Sequence, residues 1–218
     1  KIPYKTLKRE TIQEKAFYNC TGFKGHLSLP QKTTFSGADA FRACSGFTGD
    51  IIIPEGSTFN SQTDTFHGCS GFDGSIIIKN EGLTDIPDGT FYGCSKLTGE
   101  IPIRNVNSIG ESAFYDCTGL TGPLHLQSTS VDDYAFYNCR GLDGELTYDD
   151  PLTSVGKYAF YGCSGLKGEL DCSQLTSVGK YAFYGCSGLT GPLEFSSDLT
   201  EIGEYAFGDC SGFSDYLK

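Results

Sequence analysis

Nine phenylalanines recur along this chain at nearly constant intervals, and each is followed three residues later by a cysteine. The pairs are Phe17–Cys20, Phe41–Cys44, Phe66–Cys69, Phe91–Cys94, Phe114–Cys117, Phe136–Cys139, Phe160–Cys163, Phe183–Cys186 and Phe207–Cys210. The cysteines of successive pairs lie 22 to 25 residues apart, and a tenth, Cys172, stands outside this series. Three residues after each comes Phe or Leu, and two further on a Gly in eight of nine copies, with Asp215 the exception. Residues 153–166 and 176–189 are identical, both reading TSVGKYAFYGCSGL. A unit this short cannot bury its own apolar side, so it must stack on its neighbours, and the chain is a solenoid.

Each unit divides into two halves. In Leu97-Thr-Gly-Glu-Ile101-Pro-Ile103 apolar and polar residues alternate, which predicts a short strand with one buried face. The inward pairs run from Leu27/Leu29, Ile51/Ile53 and Ile76/Ile78 through Leu170/Cys172 to Leu193/Phe195. In Val155 to Cys163 the apolar residues sit at i, i+4, i+5 and i+8, which predicts about two turns of helix. The expected fold class is therefore an α/β repeat solenoid. It consists of leucine-rich-repeat coils with a parallel β-sheet on one face and short helices or 3₁₀ turns on the other. Stacking makes ladders of Phe, Cys, Leu and Ile, with Cys as a small apolar filler. Coils two and three carry Ser36 and Ser61 where others have Ile or Val, and Phe35 and Phe59 are expected to compensate.

Length alone would allow one or two domains, but the repeat stays in phase throughout, so residues 1–218 form one. The net charge of −11 and pI near 4.6 make nucleic acid a poor partner, because an acidic chain releases no counterions from a phosphate backbone. Anionic membrane surfaces are disfavoured likewise. No stretch reaches the roughly 18 apolar residues of a membrane span. Lys1 follows no charged-then-apolar leader, as in a mature or trimmed product.

The pattern I/V-G-x-x-A-F-x-x-C-x-x-L resembles the BspA-type (Treponema-type) leucine-rich repeat. Ile109-Gly110, Ala113-Phe114, Cys117 and Leu120 carry it most clearly, with Ile202-Gly203, Ala206-Phe207, Cys210 and Phe213. A Gly inserted before the strand, as in Leu97-Thr-Gly99-Glu-Ile101-Pro102, departs from it and is similar to the plant-type pattern. The resemblance implies an extracellular or cell-surface protein used in adhesion or host contact, with no catalytic residue to carry over.

Candidate sites follow from the same register. The spacing favours a reduced, buried cysteine ladder over disulfides, since the side chains run parallel and each fills a core slot. His26, His67 and His125 lie in different repeats and no CxxC occurs, so neither a metal centre nor a catalytic constellation is expected, and no cofactor. The outward strand positions Asp50, Glu100, Glu145, Glu169, Asp171 and Glu194 form a candidate binding face. It would suit a basic partner or calcium ions, or serve only as a solvated surface. Tyr92, Tyr115, Tyr137, Tyr161 and Tyr184 follow the repeat Phe, and Tyr134, Tyr158, Tyr181 and Tyr205 precede it by two. These form a candidate aromatic flank that contacts a protein or glycan, or else covers the seam between coils. Asn19-Cys-Thr21 is a sequon that would accept an N-glycan in a eukaryotic host.

The leading functional reading is a non-catalytic extracellular scaffold for adhesion or recognition. The alternative is a structural protein that self-assembles end to end, since Ile2-Pro3 and Leu217 read as bare strand positions without caps.

Overall fold

The computed structural model describes residues 10–59 and 64–213. Each coil contributes to two parallel ladders instead of the single sheet expected. The first ladder lies just before the repeat Phe. It joins Glu10–Ile12, Thr33–Phe35 and Thr58–Phe59, then Asp85–Ile86 with Ser108–Ile109, then Ser130–Val131 through Ser154–Val155 and Ser177–Val178 to Glu201–Ile202. The second joins Ile51–Ile53 with Ile76–Ile78, Leu124–Leu126 with Leu146–Tyr148, and Gly168–Glu169 with Leu189–Thr190. It is interrupted at Ile101–Ile103, where Pro102 has no amide proton to donate to a ladder, and the expected pairs Leu27/Leu29, Leu170/Cys172 and Leu193/Phe195 also lie outside the strands.

The expected helices and 3₁₀ turns do not form among the described residues, and this part of the fold class is corrected. Two positions in every described coil hold left-handed backbone, and these break any helix. One is two residues before the Phe (Tyr134, Tyr158, Tyr181 and Tyr205, φ 55 to 59°). The other is the residue before the Cys, with Asn138 at φ 60° and Gly162 at 73°. The amides then alternate in their partners. Tyr134, Phe136 and Asn138 donate to Lys157, Ala159 and Tyr161 of the next coil at 2.7 to 2.8 Å. Ala135, Tyr137 and Cys139 donate three residues back within their own turn at 3.0 to 3.3 Å. Half of each turn is thus spent joining coils, which an i→i−4 helix cannot do. The apolar residues at i, i+4, i+5 and i+8 point inward from tandem turns.

The core is a set of columns. The nine repeat phenylalanines stack at 4.9 to 6.0 Å between centroids, with planes within 19°. Each offset pair adds about 0.5–1.5 kcal/mol beyond its burial. In coils two and three Phe35 and Phe59 take the slot of Ile12, pairing with it in register and stacking at 4.8 Å. Phe35 is fully buried, so the compensation holds there, whereas Ser61 lies outside the described residues.

The cysteines do more than fill space. All ten are free, and eight are buried. From Cys44 to Cys210 each repeat Sγ–H donates to the carbonyl oxygen of the preceding coil's Phe, at 2.8 to 3.2 Å. Burial pushes the Cys69, Cys163 and Cys172 thiols up to about 12. An unfolded thiol titrates near 8.5, so above that pH the unfolded chain releases protons that the folded chain keeps. Stability from these groups is therefore whole below about pH 8.5 and drains as pH rises toward 12, at up to about 1.4 kcal/mol per thiol per pH unit. In urea unfolding, the midpoint should hold steady between about pH 6 and 8 and fall steeply above about 9. A Cys163→Ala variant should show a shallower fall. A midpoint unchanged at about pH 10.5 would show that these thiols are not buried as described.

Candidate functional site

The tandem turns place two side chains per coil at the solvent boundary beside the Phe column. The residue after the Phe forms one column: His67, Tyr92, Tyr115, Tyr137, Tyr161 and Tyr184. Their rings stack face to face at 4.1, 4.4, 4.4, 4.8 and 5.2 Å, with planes within 10°. The residue two before the Phe forms the second: Tyr134, Tyr158, Tyr181 and Tyr205, stacked at 5.0 to 5.1 Å. Rings of the two columns meet at 5.3 to 6.5 Å, inclined by 46 to 75°. All nine tyrosines singled out in the sequence therefore come together in one ribbon. They are half-buried except Tyr205, which is 57% exposed.

Holding a tyrosine in left-handed backbone costs on the order of 1–2 kcal/mol. The stacked neighbours and inter-coil amides of Tyr134, Tyr158 and Tyr181 offset it. Burial, with neighbouring phenols, holds Tyr134, Tyr137 and Tyr181 protonated to higher pH than usual. Tyr184 is pushed up to about 12, first by the hydrogen bond its hydroxyl makes to Asp209. Lys180 lies over the Tyr181 ring, 5.4 Å from its centroid, and pairs with Glu204 at 2.5 Å.

His67 is the residue that sequence reading missed. It occupies the same register position as the tyrosines, one after the Phe, which was the available signal. Its Nδ1 lies 2.7 Å from Asp64, and Asp64 and Asp39 both face Arg42, at 3.6 and 3.0 Å. The aromatic column thus passes into an ion-pair network in coils two and three.

The acidic face is less organised. Asp50, Glu100, Glu145 and Glu169 fall in one column, six residues after the Cys, and Asp171 and Glu194 in another, eight after it. Ser75, Pro123 and Pro192 interrupt the first column. Asp50 is half-buried and accepts the Ser75 amide at 2.8 Å, while Asp171 accepts the Ser173 amide at 2.8 Å. Among the described residues no three His, Cys, Asp or Glu side chains converge as a metal site built from them would require. A shallow cleft lined by Asp88, Glu111, Asp132 and Asp133 was not foreseen. Asp88 and Asp133 accept backbone amides of Glu111 and Lys157 at 3.0 and 2.7 Å, which is a coil-joining role. Asn19 is exposed at a left-handed turn. Ile2, Pro3 and Leu217 lie outside the described residues.

A family model for the BspA type leucine-rich repeat region matches six copies, over residues 3–121 and 129–216. The chain belongs to this family. The crystal structure of a Treponema pallidum leucine-rich repeat protein is similar, with a TM-score of 0.51 and 22% identity over 72% of this chain and 71% of that one. A Bacteroides ovatus leucine-rich repeat protein gives 0.48 and 24% identity over 93% and 68%. A leucine-rich cell surface protein of Faecalibacterium prausnitzii gives 0.36 and 20% over 94% and 78%. No curated protein matches the chain. The BspA-type repeat carries a non-catalytic scaffold role, in keeping with a surface built from stacked side chains. Among the described residues no helix is long and apolar enough to cross a membrane.

Proposed function

We propose that this BspA-type chain is an extracellular or cell-surface recognition module that binds a protein or glycan partner through its tyrosine ribbon. The supporting observation is the ribbon itself. Nine phenols are held in two regular columns, four of them at left-handed positions that a β-branched or bulky residue ordinarily avoids. Tyrosine is cheap to order and offers both apolar area and a hydroxyl, which suits a recognition surface. Six outward carboxylates on the opposite half of the coil offer no comparable convergence, and they serve to keep a sheet face solvated.

The test is binding of the immobilised chain to a panel of soluble glycans and extracellular-matrix proteins. Replacing Tyr158 and Tyr161 together by alanine is expected to weaken binding about tenfold, as for central aromatic contacts. Replacing Glu145 and Glu169 by glutamine should change it by no more than about twofold, as for a solvated rim. A double-alanine variant that binds like the parent would remove the ribbon from the recognition surface.

A further inference from the structure

The ribbon has a period, and the period selects a partner. We infer that it binds a proline-rich segment in the polyproline II conformation with basic residues at both ends. This rests on the recognition reading above and names the ligand class for that same surface.

Three observations carry it. The first is what the stacking leaves accessible. Within each tyrosine column the rings lie 4.4 to 5.2 Å apart with planes within 21°, so their faces cover one another. Ring edges, hydroxyls and the inclined space between columns remain. A pyranose stacks on a free aromatic face, which the interior rings lack. Proline-rich segments dock in aromatic-lined grooves, which the inclined space between the columns provides, and phenol hydroxyls donate to backbone carbonyls.

The second is length. Coils joined as a parallel ladder advance about 4.8 Å each, so two coils span about 9.6 Å. A polyproline II turn of three residues advances about 9.3 Å. An extended strand presents same-side residues about every 6.7 Å and drifts out of phase within two coils. Every third residue of a polyproline II segment therefore meets an equivalent tyrosine two coils on. Its carbonyls make no internal hydrogen bonds and are free to accept from the phenols. From Tyr134 to Tyr205 the ribbon covers three coil steps, about 14 Å, enough for about five consecutive residues of such a segment.

The third is charge. Glu111 acts on Tyr134 and Asp116 on Tyr115 and Tyr137 at one end, and Asp209 acts on Tyr184 at the other. The cations between them are engaged. Lys180 is matched by Glu204 at 2.5 Å and Lys157 by Asp133 at 3.9 Å, while Arg140 donates to the neutral Asn138 side chain and keeps its charge, so Glu111, Asp116 and Asp209 carry the acidic excess. The surface is acidic at its ends and aromatic between, which fits arginine or lysine flanking a proline core.

The experiment titrates the full chain with a synthetic peptide of about six prolines between paired arginines, roughly two polyproline II turns. A peptide of the same charge with glycine for proline serves as control. The proline peptide should bind at least about tenfold more tightly, since its conformation is preformed. Tyr158→Ala with Tyr161→Ala should cost about tenfold. Tyr158→Phe with Tyr161→Phe, which keeps the rings, should cost about threefold through the lost hydroxyls, and it holds the test if the alanine pair unfolds. Equal affinity for both peptides, or a phenylalanine pair and an alanine pair that bind like the parent, overturns the inference. Soluble β-linked oligosaccharides are titrated in parallel. Tyrosine-dependent binding of a saccharide without binding of the proline peptide overturns the polyproline assignment and leaves the recognition reading standing. Binding of neither peptide, saccharide nor matrix protein overturns both.

Discussion

Phe160→Ala is expected to destabilise the chain by about 3–5 kcal/mol, the range for deleting a fully buried ring. Phe160 is fully buried and stacks on Phe136 at 5.4 Å and on Phe183 at 5.2 Å, so its loss opens a void between two coil interfaces at once. In a solenoid those interfaces carry the stability, and no distant contact substitutes for them. The melting temperature should drop by the order of 10 °C. Phe17 holds the same repeat position but is only partly buried, and Phe41 is its one partner in the Phe column, at 4.9 Å. Phe17→Ala should therefore cost about half as much. Equal melting losses for the two variants would mean that burial between two neighbours is not what gives Phe160 its weight.

Gly141→Ala should cost about 2–3 kcal/mol, a typical price of overpacking against a rigid wall. A Cβ built at Gly141 would meet the Thr118 carbonyl oxygen at 2.7 Å and the Leu120 carbonyl oxygen closer still. Both are backbone atoms of the preceding coil and cannot swing aside, so the coils must part and their inter-coil hydrogen bonds lengthen. Gly22 occupies the same repeat position, two after the Cys, and a Cβ there meets nothing within 4 Å. Gly22→Ala should stay within about 0.5 kcal/mol. Lys96 is the copy with a side chain at this position. Chemical denaturation of both variants checks the contrast, and a neutral Gly141→Ala would sink the close-approach explanation.

The repeat boundaries, the Phe and Cys columns and the inward direction of the apolar pairs were legible because a unit that stacks on itself writes its core as a fixed register, although four of those pairs, Leu27/Leu29, Ile101/Ile103, Leu170/Cys172 and Leu193/Phe195, form no strand. Every Phe-x-x-Cys copy in the described coils lands in the same column. The rescue of coil two by Phe35 was legible for the same reason, since one apolar slot must be filled whichever residue fills it. The second half of each coil was misread. Apolar spacing of i, i+4, i+5, i+8 suits a helix and also suits tandem turns, and periodicity alone does not separate them. The separating signal was present: the residue before the Cys is Gly, Asn or Asp in eight of nine copies, with Ala43 the exception. Those residue types tolerate left-handed backbone, and they hold it here. Four tyrosines in the same conformation gave no such signal, because their propensity argues against it.

For the surface the division is similar. Spacing placed the tyrosines at two constant positions beside the core, and it grouped the outward carboxylates on a different half of the coil. Which of these drew its side chains together was decided only by the tertiary structure. Left-handed turns aim the tyrosines along one line, where inter-coil amide bonds hold the rings within stacking distance. The carboxylates occupy two register positions, interrupted by Ser75, Pro123 and Pro192, so no continuous column of them forms. His67 joined the aromatic column for the same reason. A repeat determines its register and its core through composition at each position, because burial is a property of residue type. Backbone conformation at the turns is different: it depends on where each amide finds its acceptor, and in this protein that acceptor lies in the next coil.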